Sequence, residues 1–460
     1  SRFSNYKYEV DRVNCRIGYA EHDSINWKRS YGAKTAFAYI YEHEQGSFGG
    51  TSIEGELYFR LICGKLSYAQ ISPTRILGGL LPNPFQLVPR PSRLIETYME
   101  DSEQARQYLS GPNPCSIRLC TDATKQLPTS MLRFLEEQQK LDVPALVAEK
   151  RLLFADYREL AELNINPHNS YPPSLNPDIP VDEKNFRYFN PAVIAFALDD
   201  KDRTEMEILA IQLRGTEEDA PVYSKETCSS EAEWFMAKVM VANSEANMHE
   251  FIHHLCETHL FFEGQVVAIH NNIRNNNHPL WDFFEPLTKD TLFMNWTARN
   301  TLFTFKPRAF TDEFTSLGTG QIAQLMQKKW KSYDFFTNAH LPNELASRGF
   351  DDNVELPGYL FREDGLKLWD ALGEFTTNFV DEVYATDADV ADDFVLQGWA
   401  KEMADPGSAN VGGFPSKIED KATLALVLQC MWWLCSGLHA AVNNTQYDYV
   451  SFTPNRPLSV

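Results

Sequence analysis

A single large, mainly α-helical domain with one small antiparallel β hairpin is what this 460-residue sequence predicts, and three features carry the prediction. The first is a long helical pattern from residue 230 to the late 270s, where apolar residues recur at helical spacing. The second is residues 423–446, apolar nearly all round. That length would suit a membrane span, but Gln429, Ser436, His439 and Asn443 interrupt it and mark a buried core helix. The third is how little of the chain reads as strand. Only 192–198 and 207–213, rich in Ile, Ala and Leu, do so, and their spacing suits a hairpin.

Taken in order, residues 1–100 are turn-rich, with Gly46 to Gly55 and Leu81-Pro-Asn-Pro, and lack the alternation of a β-sandwich. They are expected to form an irregular, partly helical part of the same domain, whose bulk is 101–460. Residues 129–141 and 144–163 have amphipathic helical spacing. The prolines of 167–180 read as a linker. Five asparagines in 271–277 end the long helix. Shorter helices are expected near 290–305, 318–332, 364–384 and 388–403, and a loop at 405–417 precedes the buried C-terminal helix. There is no internal repeat or low-complexity tract.

Composition narrows the function class. Hydrophobic residues make up 43% and aromatics 13%, with 30 Phe, 19 Tyr and nine Trp. That suits a core built around an apolar cavity, although a large helical core accounts for most of it. A net charge of −21 argues against nucleic acid and anionic membrane surfaces as partners, so weak or no membrane association is expected. The eight cysteines are scattered, and Cys63, Cys256, Cys430 and Cys435 lie in apolar runs. They read as reduced core thiols of a cytoplasmic protein, with no signal-peptide pattern at Ser1.

The chemistry concentrates in residues 248–260, Met-His-Glu-Phe-Ile-His-His-Leu-Cys-Glu-Thr-His-Leu, which hold four of the eleven histidines. Histidine is the commonest protein metal ligand. Two spacings compete. His249-Glu250-x-x-His253 is the zinc-hydrolase pattern, two ligands at i and i+4 with a glutamate base, and His259 stands where the extended pattern has its third histidine. That pattern needs a glycine for a sharp turn, and Cys256 occupies the position. The rival pair is His254 and His259, at i and i+5. In a regular α-helix these lie roughly 140° apart, so sharing a metal requires a locally widened, π-type helix, a feature frequent at functional sites. The buried helix adds His439 and Asn443, at i and i+4 on one face. Polar side chains inside an apolar helix need partners, and a metal shared with the first helix would be one.

Two blocks together carry a family resemblance. His254-Leu-Cys-Glu-Thr-His-Leu260 resembles the first iron-binding helix of the lipoxygenases. Cys435-Ser-x-x-His-Ala-Ala-Val-Asn-x-x-Gln-Tyr447 resembles their second, followed by Pro454-Asn-Arg-Pro457. Leu109-Ser-Gly-Pro-Asn-Pro, Glu149-Lys-Arg-Leu, Trp234 with Ala237-Lys238, His278-Pro279, Asn295-x-x-Ala298-Arg299 and Arg362-x-Asp364-Gly365-Leu366 agree in order, from about residue 100 onward. The family's N-terminal β-sandwich has no counterpart in this reading.

The resemblance implies non-haem iron held by His254, His259, His439 and, more weakly, Asn443; manganese is the other metal the same donors accept. It implies a further ligand, the main-chain carboxylate of the family's last residue, well beyond the Pro-Asn-Arg-Pro block. This sequence stops at Val460, so the expectations are a truncated sequence, a completing chain or fused segment that fills that position, or, as the least favoured reading, Val460 itself folding back to the metal. The implied reaction is hydrogen-atom abstraction from the methylene between two cis double bonds of a polyunsaturated fatty acid, followed by O2 addition to give a hydroperoxide. Leu255 and Leu302 match the positions that clamp the pentadiene; ordinary core leucine is the bland reading. Ala298 matches the stereochemical position and implies an S product. Gln446 is expected to bond the Asn443 amide and Glu250 to face the cavity, both supporting the metal. Arg299 is expected to pair with a buried carboxylate. His249, His253, His270 and His278 are read as satisfied histidines. The competing classes are a zinc metallohydrolase using His249, Glu250 and His253, and an inactive lipid-binding remnant.

Overall fold

The computed structural model describes residues 94, 96–164, 191–215, 220–289, 291–302, 311, 314–351 and 354–459. Helices dominate, around one five-stranded antiparallel sheet. Its strands are β1 (Arg118–Leu119), β2 (Leu152–Asp156), β3 (Val193–Leu198), β4 (Met206–Gln212) and β5 (Val222–Tyr223), and they lie side by side in chain order. The expected hairpin is β3–β4, with a register shift at Ala195/Phe196. The expectations for residues 1–93 and 167–180 fall outside the described residues.

The helix expected over 144–163 is corrected. Val143–Ala148 is α-helical and Arg158–Asn164 forms a 3-10 helix, but the stretch between them is not helical. Lys150, at φ 53°, then turns the chain, and β2 follows, paired with β1 on one side and β3 on the other. Leu152, Leu153, Phe154 and Ala155 are all buried. A strand covered on both faces reads as a short apolar run rather than an alternation, and periodicity cannot tell it from a buried helix turn.

Seven helices matter for the site. They are α1 (Asp101–Ser110), α2 (residues 231–274), α3 (Thr291–Thr301), α4 (Thr319–Ser332), α5 (Leu360–Val383), α6 (Phe394–Ala404) and α7 (Lys421–Tyr449). Ser230 starts α2 by accepting from the Glu233 N–H. The asparagine cluster ends it. Asn272, Asn275 and Asn276 each donate from the side chain to the carbonyl four residues back, and Asn277 sits at φ 49°. Such local bonds compete with the helix ladder.

The helix expected over 388–403 is two helices, because Asp393 caps the second one, accepting from Val395 N and Leu396 N. Helix α7 is long and apolar enough to cross a membrane, but it runs through the core. Asp420 caps it, and Gln429 donates to Trp369 O of α5 at 2.7 Å. Helix α5 comes close to it because Gly365 and Gly373 face Trp433 and Gln429, where an added Cβ would lie only 3.1 and 3.0 Å from those side chains. The main core surrounds α2 and α7.

Candidate metal centre

Both helices that carry the site are widened where they carry it. Helix α2 is a π-helix over His249–Leu260, and α7 is one over Leu434–Leu438, directly before His439. Hydrogen bonding five residues apart brings residues 254 and 259 onto one face, as their spacing required. Widening loosens main-chain carbonyls, and side chains take them up. Thr258 Oγ1 donates to His254 O at 2.6 Å. Asn295 Nδ2, from α3, donates to His259 O at 3.0 Å. Ser436 Oγ donates to Trp432 O at 2.7 Å in α7. Gly437 is obligatory there, since a Cβ would lie 2.2 Å from the Trp433 ring.

Three imidazoles converge as a result. His259 Nε2 lies 3.2 Å from His254 Nε2 and 3.0 Å from His439 Nε2. The ring of His259 stands at 74° and 83° to the other two, so the nitrogen edges meet rather than the faces. Among the described residues, this is the group of His, Cys, Asp and Glu side chains whose ligand atoms, all within 4.8 Å of one another, could hold a metal ion. All three are partly buried, hence reachable from outside.

Their protonation suits metal binding. Burial, and then the neighbouring His254 and His439 rings, push His259 down to about 3. Burial, and then His254, push His439 down to about 4. Both are therefore neutral at pH 7 and offer lone pairs. A set of nitrogen donors without thiolate fits the intermediate metals that imidazole prefers, iron and zinc among them.

The supporting contacts differ from expectation in one respect. Gln446 does not bond Asn443. The Gln446 amide nitrogen instead lies 2.7 Å from His254 Nδ1 and 3.0 Å from Glu250 Oε2, across on α2. Whichever end of the amide faces the ring, the contact fixes the rotation of His254 and aims its Nε2 at His259. Glu250 Oε2 is itself 3.6 Å from His254 Nδ1. Asn443, one turn beyond His439, is half-buried and donates to Asn444 Oδ1 at 3.1 Å.

The zinc-hydrolase pattern is not assembled. His249 is fully buried and donates from Nε2 to Val442 O at 2.7 Å, tying α2 to α7. His253 Nδ1 sits 3.1 Å from Glu257 Oε2. Neither joins the convergent set. His278 contacts Asp393 Oδ2 at 2.7 Å and takes the Leu280 N–H on Nδ1, a satisfied structural histidine.

The substrate-side expectations divide. Leu255 is partly buried against the main core. Ala298 lies on α3, which docks onto α2 beside His259. Leu302, just past the end of α3, is 50% exposed. What the sequence reading left unplaced is the partner of Arg299. Its guanidinium grips Glu263 of α2 with both ends, at 2.5 and 2.8 Å, and Asn295 Nδ2 adds a third contact to Glu263 at 2.9 Å.

A pH effect follows. Burial also holds His249 below the ordinary histidine value. At His259 and His439 the unfolded chain takes up protons near pH 6.5, whereas the folded chain resists down to about 3–4. Between these limits the unfolded state binds more protons, so stability falls as pH falls, by up to about 1.4 kcal/mol per pH unit for each histidine. Denaturant unfolding of the metal-free protein is expected to give lower stability at pH 5 than at pH 7. Equal stability at both would mean that the imidazoles are not held neutral.

Comparison with known proteins agrees with the site. The lipoxygenase family model matches residues 182–460. The human polyunsaturated fatty acid lipoxygenase ALOX15B (Homo sapiens) is 28% identical over 380 residues, covering 82% of this chain and 53% of its own. The human hydroperoxide isomerase ALOXE3 (Homo sapiens) is 31% identical, over 79% of this chain and 48% of its own. Among solved structures, a calcium-dependent 11R-lipoxygenase superposes with TM-score 0.67 at 25% identity, covering 79% of this chain and 51% of that one. Coral 8R-lipoxygenase gives 0.66 at 26%, with coverages of 79% and 51%. The chain spans about half the length of the curated relatives it matches.

Proposed function

The chain belongs to the lipoxygenase family, and from that premise we propose that it is an iron-dependent dioxygenase acting on a polyunsaturated fatty acid. The observation that carries this reading is the convergence of three neutral imidazoles from two helices, with Nε2 atoms 3.0 and 3.2 Å apart. His254, His259 and His439 would hold the iron, with Asn443, one turn beyond His439, as a weaker fourth ligand. Bound iron would supply the one-electron chemistry that removes a hydrogen atom from the methylene between two cis double bonds and lets O2 add.

The chain's own residues supply placement. Gln446 and Glu250 hold the His254 ring, Asn295 holds the His259 carbonyl, and α3 brings Ala298 to the same flank of α2. The test is metal analysis of the purified protein together with diene absorbance in linoleate under oxygen. Iron and a rising diene signal support the reading; zinc with no diene formed would refute it.

Ala298 further supports an S-configured hydroperoxide. Two of the solved relatives are 11R- and 8R-lipoxygenases, which makes product chirality informative. Chiral chromatography is expected to show mainly S product from the natural sequence and a shift toward R in Ala298→Gly. Mainly R product from the natural sequence would overturn the assignment. The likeness to a hydroperoxide isomerase gives a second reading. Consumption of a supplied fatty acid hydroperoxide without O2 uptake would favour it.

A further inference from the structure

Residues 454–458 form a strap whose contacts reach three helices. Arg456 is 1% exposed and Glu245, on α2, is 2% exposed; Arg456 Nε lies 3.3 Å from Glu245 Oε2. Arg456 also donates to Gln104 Oε1 of α1 at 3.2 Å and stacks over the Tyr108 ring at 5.5 Å. Two asparagines of α2 hold the main chain of the strap. Asn243 Nδ2 donates to Pro457 O at 2.9 Å, and Asn247 Nδ2 donates to Leu458 O at 3.0 Å. Asn455 exchanges hydrogen bonds with Gln107 of α1 and donates to Tyr449 O, at the end of α7.

All of these residues are buried except Leu458, which is partly buried. A buried ion pair is poor evidence of stability in itself, since apolar residues of similar volume often hold a fold as well. What this pair does have is position. It joins the part of α2 leading into His254 and His259 to the chain that continues from His439. Helix α7 and the strap are covalently continuous, so anchoring residues 454–458 to residues 243–247 fixes how α7 lies on α2. Apart from the site itself, α2 and α7 are also tied by His249, which donates to Val442 O.

We infer that the Glu245–Arg456 pair is a positioning device that sets the spacing between the His254/His259 face and His439, and so the affinity of the metal centre. The inference rests on those imidazoles being the ligands. Neither residue touches the imidazoles, so the role acts through helix placement.

The test uses the full chain and Co2+ as the probe, read by its visible absorption, alongside the melting temperature of the metal-free protein. Arg456→Gln leaves Glu245 charged and buried, so both metal affinity and melting temperature should fall. The double variant E245Q/R456Q leaves no unpaired charge and should regain most of the lost melting temperature. Its Co2+ dissociation constant should nevertheless stay about tenfold to a hundredfold above that of the natural sequence, the loss usual when support around a ligand is removed. Co2+ affinity that recovers with the melting temperature would show a purely structural pair and overturn the inference, as would unchanged affinity in Arg456→Gln. If the natural protein binds no Co2+, the metal reading fails by itself. Amide hydrogen exchange then decides on the strap. Faster exchange over 249–260 and 434–443 in the double variant, with the sheet unaffected, supports it; unaltered exchange there refutes it.

Discussion

Replacing His439 by alanine is expected to lower bound metal from near one ion per chain to below about a tenth of that, with no loss of fold. Helix α7 contributes a single imidazole to the convergent set, while His254 and His259 both come from α2. Without His439 the convergent set keeps two nitrogens, both on α2, and α7 is left with only the weaker Asn443 donor. The fold should survive because the polar contact of the His439 ring is with His259 alone among its described hydrogen bonds. The substitution also removes a group that burial holds neutral against its ordinary pKa, so the metal-free variant should be at least as stable as the natural protein at pH 5. His249→Ala makes the contrast. It deletes the donor to Val442 O and should cost stability while leaving the three imidazoles in place. Metal analysis of both variants, with denaturant unfolding, separates the roles. A His439→Ala protein that retained its metal would remove the case for the two-helix site.

Arg299→Met is expected to destabilise the protein by about 3–5 kcal/mol, the usual consequence of leaving one partner of a buried ion pair uncompensated. Glu263 is buried on α2, and its carboxylate is gripped by both ends of the Arg299 guanidinium, with Asn295 on Oε2. Removing the cation leaves one amide hydrogen bond to hold a buried charge. The double variant E263M/R299M, which removes both charges, should recover most of that loss. The same cluster docks α3 on α2 and lets Asn295 cap His259 O, so Arg299→Met should also loosen the flank that carries Ala298. Denaturant unfolding of the single and double variants checks this. A loss under about 1 kcal/mol in the single variant would mean that the carboxylate is already solvated.

The metal centre was legible in the sequence because its geometry is written in spacings. Histidines five apart cannot face one ion on a regular helix, so His254 and His259 together called for a widened helix, and α2 is widened over His249–Leu260. His439 was legible because an imidazole inside an apolar run demands a partner. The Gln446 contact was missed because it runs across to His254 and Glu250 of α2, and spacing along α7 alone cannot show a contact between helices. Strand β2 was read as helix because burial on both faces erases the alternation that identifies strands. That Arg299 meets Glu263, and Arg456 meets Glu245, could not be read at all. Each pair joins residues 36 or more positions apart, and only the packing of α2 against α3 and against the chain after α7 brings them together.

The central claim is that three imidazoles from two helices hold one redox-active ion. Metal analysis of the natural protein beside the triple variant H254A/H259A/H439A tests it most directly. The expected result is close to one iron per natural chain and none in a folded triple variant. Equal metal in both proteins, or none in the natural one after iron is supplied anaerobically, would contradict it.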